Sequence, residues 1–275
     1  MQTIKTVHAG PFPRIAVDHC GSGELVVFLH GIGGNRRNWQ SSLPVFGEHF
    51  LAAAWDARGY GDSDDYAGAL RFHDFSDDLA RVLDHFGADR AHLVGLSMGG
   101  RIALNFAQRH TGRLHSLTLC ATFKGFGTFS DAAKAEFIRS RKEPLLNGKE
   151  PADIAEDVAR SLLSPGASDN ALQQLVDSMQ RLHKESYIKS IEAMVHEDVD
   201  ASLDHVRVPT HVVCGASDPL APLAMSREIV RLIPHAELTL LPDTGHLLNI
   251  ENPSGFNDVV LNFLLRRRAS AALSA

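Results

Sequence analysis

Cysteine is scarce in this chain, and the three present, Cys20, Cys120 and Cys214, lie far apart with no C-x-x-C spacing. Such a set supplies neither a disulfide framework nor a zinc knuckle, and it suits a reducing compartment. Cys120 and Cys214 fall inside apolar runs and read as small buried hydrophobes. Long hydrophobic runs are missing too. No stretch approaches the roughly 18 apolar residues of a membrane span, and the opening MQTIKTVHAGPFP lacks the apolar centre of a signal sequence. The expectation is a cytoplasmic protein with no membrane partner. An excess of positive charge is absent as well: 27 Lys and Arg against 33 Asp and Glu leave a formal net charge of −6, so nothing marks a nucleic-acid partner. Neither the G-x-x-x-x-G-K loop nor a dinucleotide fingerprint is found. His196, Glu197, Asp198 and Asp200 do not follow a metal-ligand spacing and read as a solvated face. No metal and no cofactor are expected.

What is present is ordinary globular material, 275 residues that are 44% hydrophobic and 22% charged, enough for one large domain. Apolar runs at 25–31, 50–56, 91–96, 114–122, 210–215 and 236–241 each end near glycine, serine or aspartate. Their apolarity is continuous rather than alternating, as in parallel strands covered on both faces. Helical patterns at 76–86, 98–109, 222–233 and 254–267 follow them, and residues 4–20 suit one or two antiparallel edge strands. Between about 124 and 200 the rhythm is all helix, broken at Pro144, Gly148, Pro165 and Gly166. The spacing therefore predicts an α/β core from 1–123 and 201–275 with a helical cap over 124–200. Arg266, Arg267 and Arg268 read as the solvated end of the last helix.

The stretch HLVGLSMGGRIAL places Ser97 between a strand and a helix, in Gly95-Leu96-Ser97-Met98-Gly99. Glycines on both sides allow a sharp turn that leaves the hydroxyl exposed at the carboxyl end of a parallel strand, where ligands bind. A serine needs a base, and the base needs an orienting acid. Asp218 follows run 210–215 and His246 follows run 236–241, so both emerge at the edge that carries Ser97. Each residue also has a plainer reading: Ser97 as a helix N-cap, His246 as a loop histidine, Asp218 as a turn residue before Pro219. Asp243 is an alternative acid. Trp39, Phe123, Phe126 and Phe129 are candidates to line an acyl pocket, and His30 reads as a residue that fixes its glycine loop by hydrogen bonds.

Taken in order, HGIGG (30–34), DARGYGDS (56–63), GLSMGG (95–100), GASD (215–218) and GH (245–246) resemble the α/β-hydrolase superfamily. Within it, 245–264 and the helical insert look most like 3-oxoadipate enol-lactonases and bacterial carboxylesterases. The resemblance implies an eight-stranded, mostly parallel sheet with helices on both faces and the cap between strands 6 and 7. It implies Ser97 as nucleophile, His246 as base and acid, Asp218 as its orienter, and an oxyanion hole from the N–H groups of Ile32 and Met98. The partner would be a small ester or lactone; a homodimer stays open. If the lactonase likeness holds, the substrate carries a carboxylate, and Lys124, Arg139 and Arg160 are the cap cations singled out to hold it. A hydrolase of carbon–carbon bonds in ring-cleavage products, a cofactor-free haloperoxidase or perhydrolase, and a small-molecule receptor remain alternatives on the same residues. The first of these usually has an aromatic residue where Leu247 stands.

Overall fold

The structure is a computed structural model and describes residues 2–196 and 203–272. Eight strands form one sheet: β1 (Lys5–Ala9), β2 (Ile15–Gly21), β3 (Leu25–Leu29), β4 (Leu51–Trp55), β5 (Ala91–Leu96), β6 (Leu114–Cys120), β7 (Thr210–Gly215) and β8 (Glu237–Leu241). Their spatial order is β1-β2-β4-β3-β5-β6-β7-β8. β2 runs antiparallel to both β1 and β4, and all remaining neighbours are parallel. β3, β5 and β7 are buried along their whole length, which is why their sequences show no alternation. β8 departs from that expectation. It is the sheet's edge, and Leu238 and Leu240 are 39% and 44% exposed on its outer side.

Ten α-helices accompany the sheet among the described residues: α1 (Leu43–Gly47), α2 (His73–His85), α3 (Met98–Arg109), α4 (Asp131–Leu146), α5 (Pro151–Leu162), α6 (Asp169–Met179), α7 (Lys184–His196), α8 (Leu223–Leu232), α9 (Leu248–Glu251) and α10 (Pro253–Ala272). One apolar layer joins Phe75 and Leu79 of α2, Ile102 and Phe106 of α3 and Ile229 of α8 to one sheet face. A second joins Phe46 of α1 with Phe256, Val260 and Phe263 of α10 to the other. Helices thus cover both faces, and α4–α7 form the insertion between β6 and β7. The boundary expected at residue 200, together with Glu197 and Asp198, lies outside the described residues.

Two details differ from the sequence reading. Pro144 does not separate helices; it sits in the last turn of α4, where its missing N–H costs one bond near an end that is already closing. The basic triplet is not a free helix terminus either. Arg266 and Arg267 pair with Glu237 of β8, Arg268 donates to the His49 carbonyl, and α10 continues past them. No helix among the described residues is long and apolar enough to cross a membrane.

Candidate active site

Ser97 stands between β5 and α3 with φ 54° and ψ −114°, a backbone conformation that L side chains rarely adopt. The neighbouring chain leaves no alternative. A Cβ on Gly95 would lie 2.3 Å from the Gly99 carbonyl oxygen, and one on Gly99 would lie 2.1 Å from that of Leu29. The turn is held from both sides: Ser97 N–H donates to the Cys120 carbonyl at 2.8 Å, and Thr122 Oγ1 donates to the Ser97 carbonyl at 2.8 Å. Alanine at position 99 would have to displace backbone on β3, so Gly99→Ala should lower stability by about 1–3 kcal/mol or prevent folding, read as a fall in Tm.

The loop after β3 lies against this turn. A Cβ on Gly31 would meet Ser97 Cβ at 3.2 Å. His30 fixes the loop: its Nε2 accepts from Ala57 N–H at 3.0 Å, which leaves Nδ1 to donate to the Gly31 carbonyl at 2.8 Å. Burial lowers its pKa, so the ring stays neutral and serves as a strut. Downstream, Asn38 receives the Asn35 N–H and donates to Ser178 of α6, tying loop to insertion. Neither Ile32 N–H nor Met98 N–H takes part in a hydrogen bond among the described residues. Met98 also opens α3, where N–H groups are unsatisfied and the helix dipole is positive.

Asp218 and His246 are brought together. His246 Nδ1 lies 2.9 Å from Asp218 Oδ2 and 3.1 Å from Oδ1, and both side chains are almost wholly buried. Asp218 Oδ1 also accepts Leu220 N–H at 2.8 Å and Ala221 N–H at 2.9 Å. Burial would raise this carboxyl, but the bond and charge attraction of His246, with the two N–H groups, pull it below its ordinary value. The aspartate is therefore ionised at neutral pH. Asp243, the alternative acid, occupies a positive-φ turn and does not pair with the imidazole. No hydrogen bond joins His246 Nε2 to Ser97 Oγ in this structure; such bonds are often long before substrate binds.

Above Ser97 and Ile32 opens a cavity of about 440 Å³. Phe123, Phe126 and Phe129 line it. Their rings pack on one another at 5.0–6.0 Å between centroids. Behind them, the buried Arg101 guanidinium lies 5.0 Å from the Phe72 centroid and donates to the Met194 carbonyl of α7. Trp39 is a correction. It is fully buried between Phe28 and Phe256, 5.0 and 5.8 Å away, in the second core, and has no face on the cavity. The flat indole is needed there to fill the space between β3 and α10.

The three cap cations singled out from the sequence are also displaced. Lys124 pairs with Glu228, Arg139 with Glu136 and Glu143, and Arg160 with Glu156. The guanidinium that faces the cavity belongs to Arg141 of α4. It lies 3.6 Å from the Phe137 centroid and pairs with no carboxylate among the described residues; burial lowers its pKa, opposed by the nearby Tyr187. Lys149 and Asp157 are the other charged residues around this space, both exposed. Glu251 went unnoticed in the sequence: its carboxylate accepts backbone N–H groups on both sides of His246, at Gly245 and Leu247.

The sequence pattern of a family described as alpha/beta hydrolase fold matches residues 24–253. Among curated proteins, the chain is 26% identical to a 3-oxoadipate enol-lactonase of Acinetobacter baylyi, covering 86% of each chain. It is 27% identical to a 2-hydroxy-6-oxononadienedioate/2-hydroxy-6-oxononatrienedioate hydrolase of Cupriavidus pinatubonensis, covering 91% of this chain and 90% of that one. Among solved structures, a thermophilic esterase from Thermogutta terrifontis superposes with a TM-score of 0.86 at 25% identity, over 96% of this chain and 99% of the other.

Proposed function

The chain belongs to the alpha/beta hydrolase fold family, and from that premise we propose that it is a serine hydrolase that cleaves a small carboxylic ester or lactone through an acyl-enzyme. The observation that carries the reading is the strained Ser97, packed beside the Gly31 loop at the same sheet edge as the His246–Asp218 pair. Ser97 Oγ attacks the substrate carbonyl carbon while His246 Nε2 takes its proton. The oxyanion that forms accepts the Ile32 and Met98 N–H groups, each worth about a hundredfold to a thousandfold in rate. The carbon–oxygen bond to the leaving group then breaks and the imidazolium protonates the alkoxide. Water, deprotonated by the same nitrogen, releases the acid and restores Ser97. Asp218 keeps the Nδ1 proton in place and offsets the transient charge. The lactonase and esterase relatives agree with this chemistry.

Arg141 refines the substrate. A half-buried guanidinium that pairs with no carboxylate among the described residues, on the cavity that holds Ser97, suits the far carboxylate of an acyl chain. Stoichiometric labelling of Ser97 by a fluorophosphonate and rapid turnover of p-nitrophenyl esters test the main reading. Absence of labelling removes every acyl-enzyme scheme, and a ring-cleavage dienone turned over far faster than any ester would move the reaction to carbon–carbon cleavage. Arg141→Gln should cut kcat/KM about tenfold to a hundredfold for the p-nitrophenyl monoester of glutarate, against about twofold for the valerate ester. Equal losses on both would take the carboxylate away from Arg141.

A further inference from the structure

The loop carrying His246 is fastened to the insertion as well as to the sheet. Glu251, at the end of α9, accepts Gly245 N–H at 3.1 Å, Leu247 N–H at 3.2 Å and Ser164 N–H at 2.9 Å. The first two bonds are local and would satisfy the start of α9 wherever this loop sat. The third crosses 87 residues to the segment that leaves α5. A fourth bond runs beside it, from the N–H of His246 itself to the Leu162 carbonyl at 3.1 Å. The two segments approach so closely that a Cβ on Gly245 would stand 2.5 Å from Ser164 N and 2.7 Å from Glu251 Oε1. Leu162, at the end of α5, also lines the cavity above Ser97.

We infer that Glu251 is a positioning residue: it latches the end of α5 to the His246 loop, so that the seating of the cap sets where the imidazole stands relative to Ser97. The inference rests on the role given to His246 above. Its physical basis is a single carboxylate taking three N–H groups, charge-assisted bonds about twice as strong as neutral ones. Asp218 fixes the ring through Nδ1 but leaves the backbone of residues 245–247 free to shift; the latch supplies that second anchor. A substrate that presses on Leu162 acts on the His246 N–H directly, through the carbonyl that it bonds.

Two substitutions in the full chain separate the latch from local helix capping. Glu251→Gln replaces one oxygen by an NH2 group. Because Oε2 takes the Gly245 and Ser164 bonds and Oε1 the Leu247 bond, either orientation of the amide sets donor against donor. Ser164→Pro removes the long-range donor and puts its Cδ where the hydrogen pointed at Glu251 Oε2, forcing the α5 segment off the His246 loop, while Ser164→Ala keeps that donor. Glu251→Gln and Ser164→Pro should each lower kcat for a neutral p-nitrophenyl ester about tenfold to a hundredfold with KM within about twofold, as expected for a misplaced base. Amide hydrogen exchange at 245–247 should quicken in both, and Ser164→Ala should restore kcat and protection. A fall in Tm with kcat intact would reduce Glu251 to a helix cap, and a loss in Ser164→Ala equal to that in Ser164→Pro would transfer the effect to the hydroxyl; either overturns the latch. If one variant does not fold, the other reads the same split. Exchange needs no turnover, so it tests the latch even if Ser97→Ala proves active and the acyl-enzyme reading fails.

Discussion

Ser97→Ala should lower kcat for a p-nitrophenyl ester by about five to six orders of magnitude while leaving the fold intact. Alanine retains the Cβ that packs beside Gly31, and the backbone bonds of residue 97 to Cys120 and Thr122 do not involve the hydroxyl. The positive φ and its strain remain, so the loss is chemical and not structural. Turnover of about a thousandfold to ten-thousandfold over water should persist if the Ile32 and Met98 donors still act on a bound ester. Fluorophosphonate labelling, followed by intact mass, should vanish with the hydroxyl. The strain itself can be read separately. Ser97→Gly should be more stable than Ser97→Ala, because a φ of 54° with ψ −114° costs a residue with a Cβ about 1–3 kcal/mol. Equal melting temperatures would mean that the turn stores no strain, and near-wild-type turnover in Ser97→Ala would end the nucleophile assignment.

The parts that were legible in the sequence are those set by local rules. β5 and α3 begin and end where the glycines and the change of period put them, because Gly95 and Gly99 mark the only turn that fits between two buried elements. The parallel strands of the sheet and the helical insertion after β6 followed from alternation along the chain, and the count of eight from the family resemblance. What failed depended on contacts between distant segments. Trp39 reads as a pocket aromatic beside a glycine loop, yet its neighbours come from β3 and α10, at opposite ends of the chain. Arg139 and Arg141 are two residues apart, hence about 200° apart around α4. One meets glutamates in solvent and the other meets the cavity, and α4 buries only Leu145, so no apolar stripe marks its inward face. Glu251 has the same limitation: inside NIENP it is one acid among 33 Asp and Glu, and its meaning lies in Ser164 N–H. β8 looked covered on both faces because an edge position leaves no mark in five residues.

Asp218→Asn should lower kcat by about ten-thousandfold, and the hydrogen bonds around the carboxylate say why. Oδ1 is the acceptor for Leu220 N–H and Ala221 N–H, so in the amide the oxygen must occupy that side. The NH2 group is then turned toward His246, at the place of Oδ2, 2.9 Å from Nδ1. A donor there requires Nδ1 to accept, which moves the ring proton to Nε2 and removes the lone pair that should take the Ser97 proton. The buried pair offers no rotation that avoids this, because flipping the amide would set NH2 against two backbone N–H groups. Packing is conserved and Tm should change little, so kcat and Tm measured together separate a tautomer effect from misfolding. Raising the pH should not rescue the variant, since the fault is the position of a proton and not the charge of the ring. Asp218→Ala removes the obstructing donor, so the imidazole can again carry its proton on Nδ1 with Nε2 free to accept, and it should be the more active of the two. Activity in Asp218→Asn within about tenfold of wild type would exclude Asp218 from the chemistry.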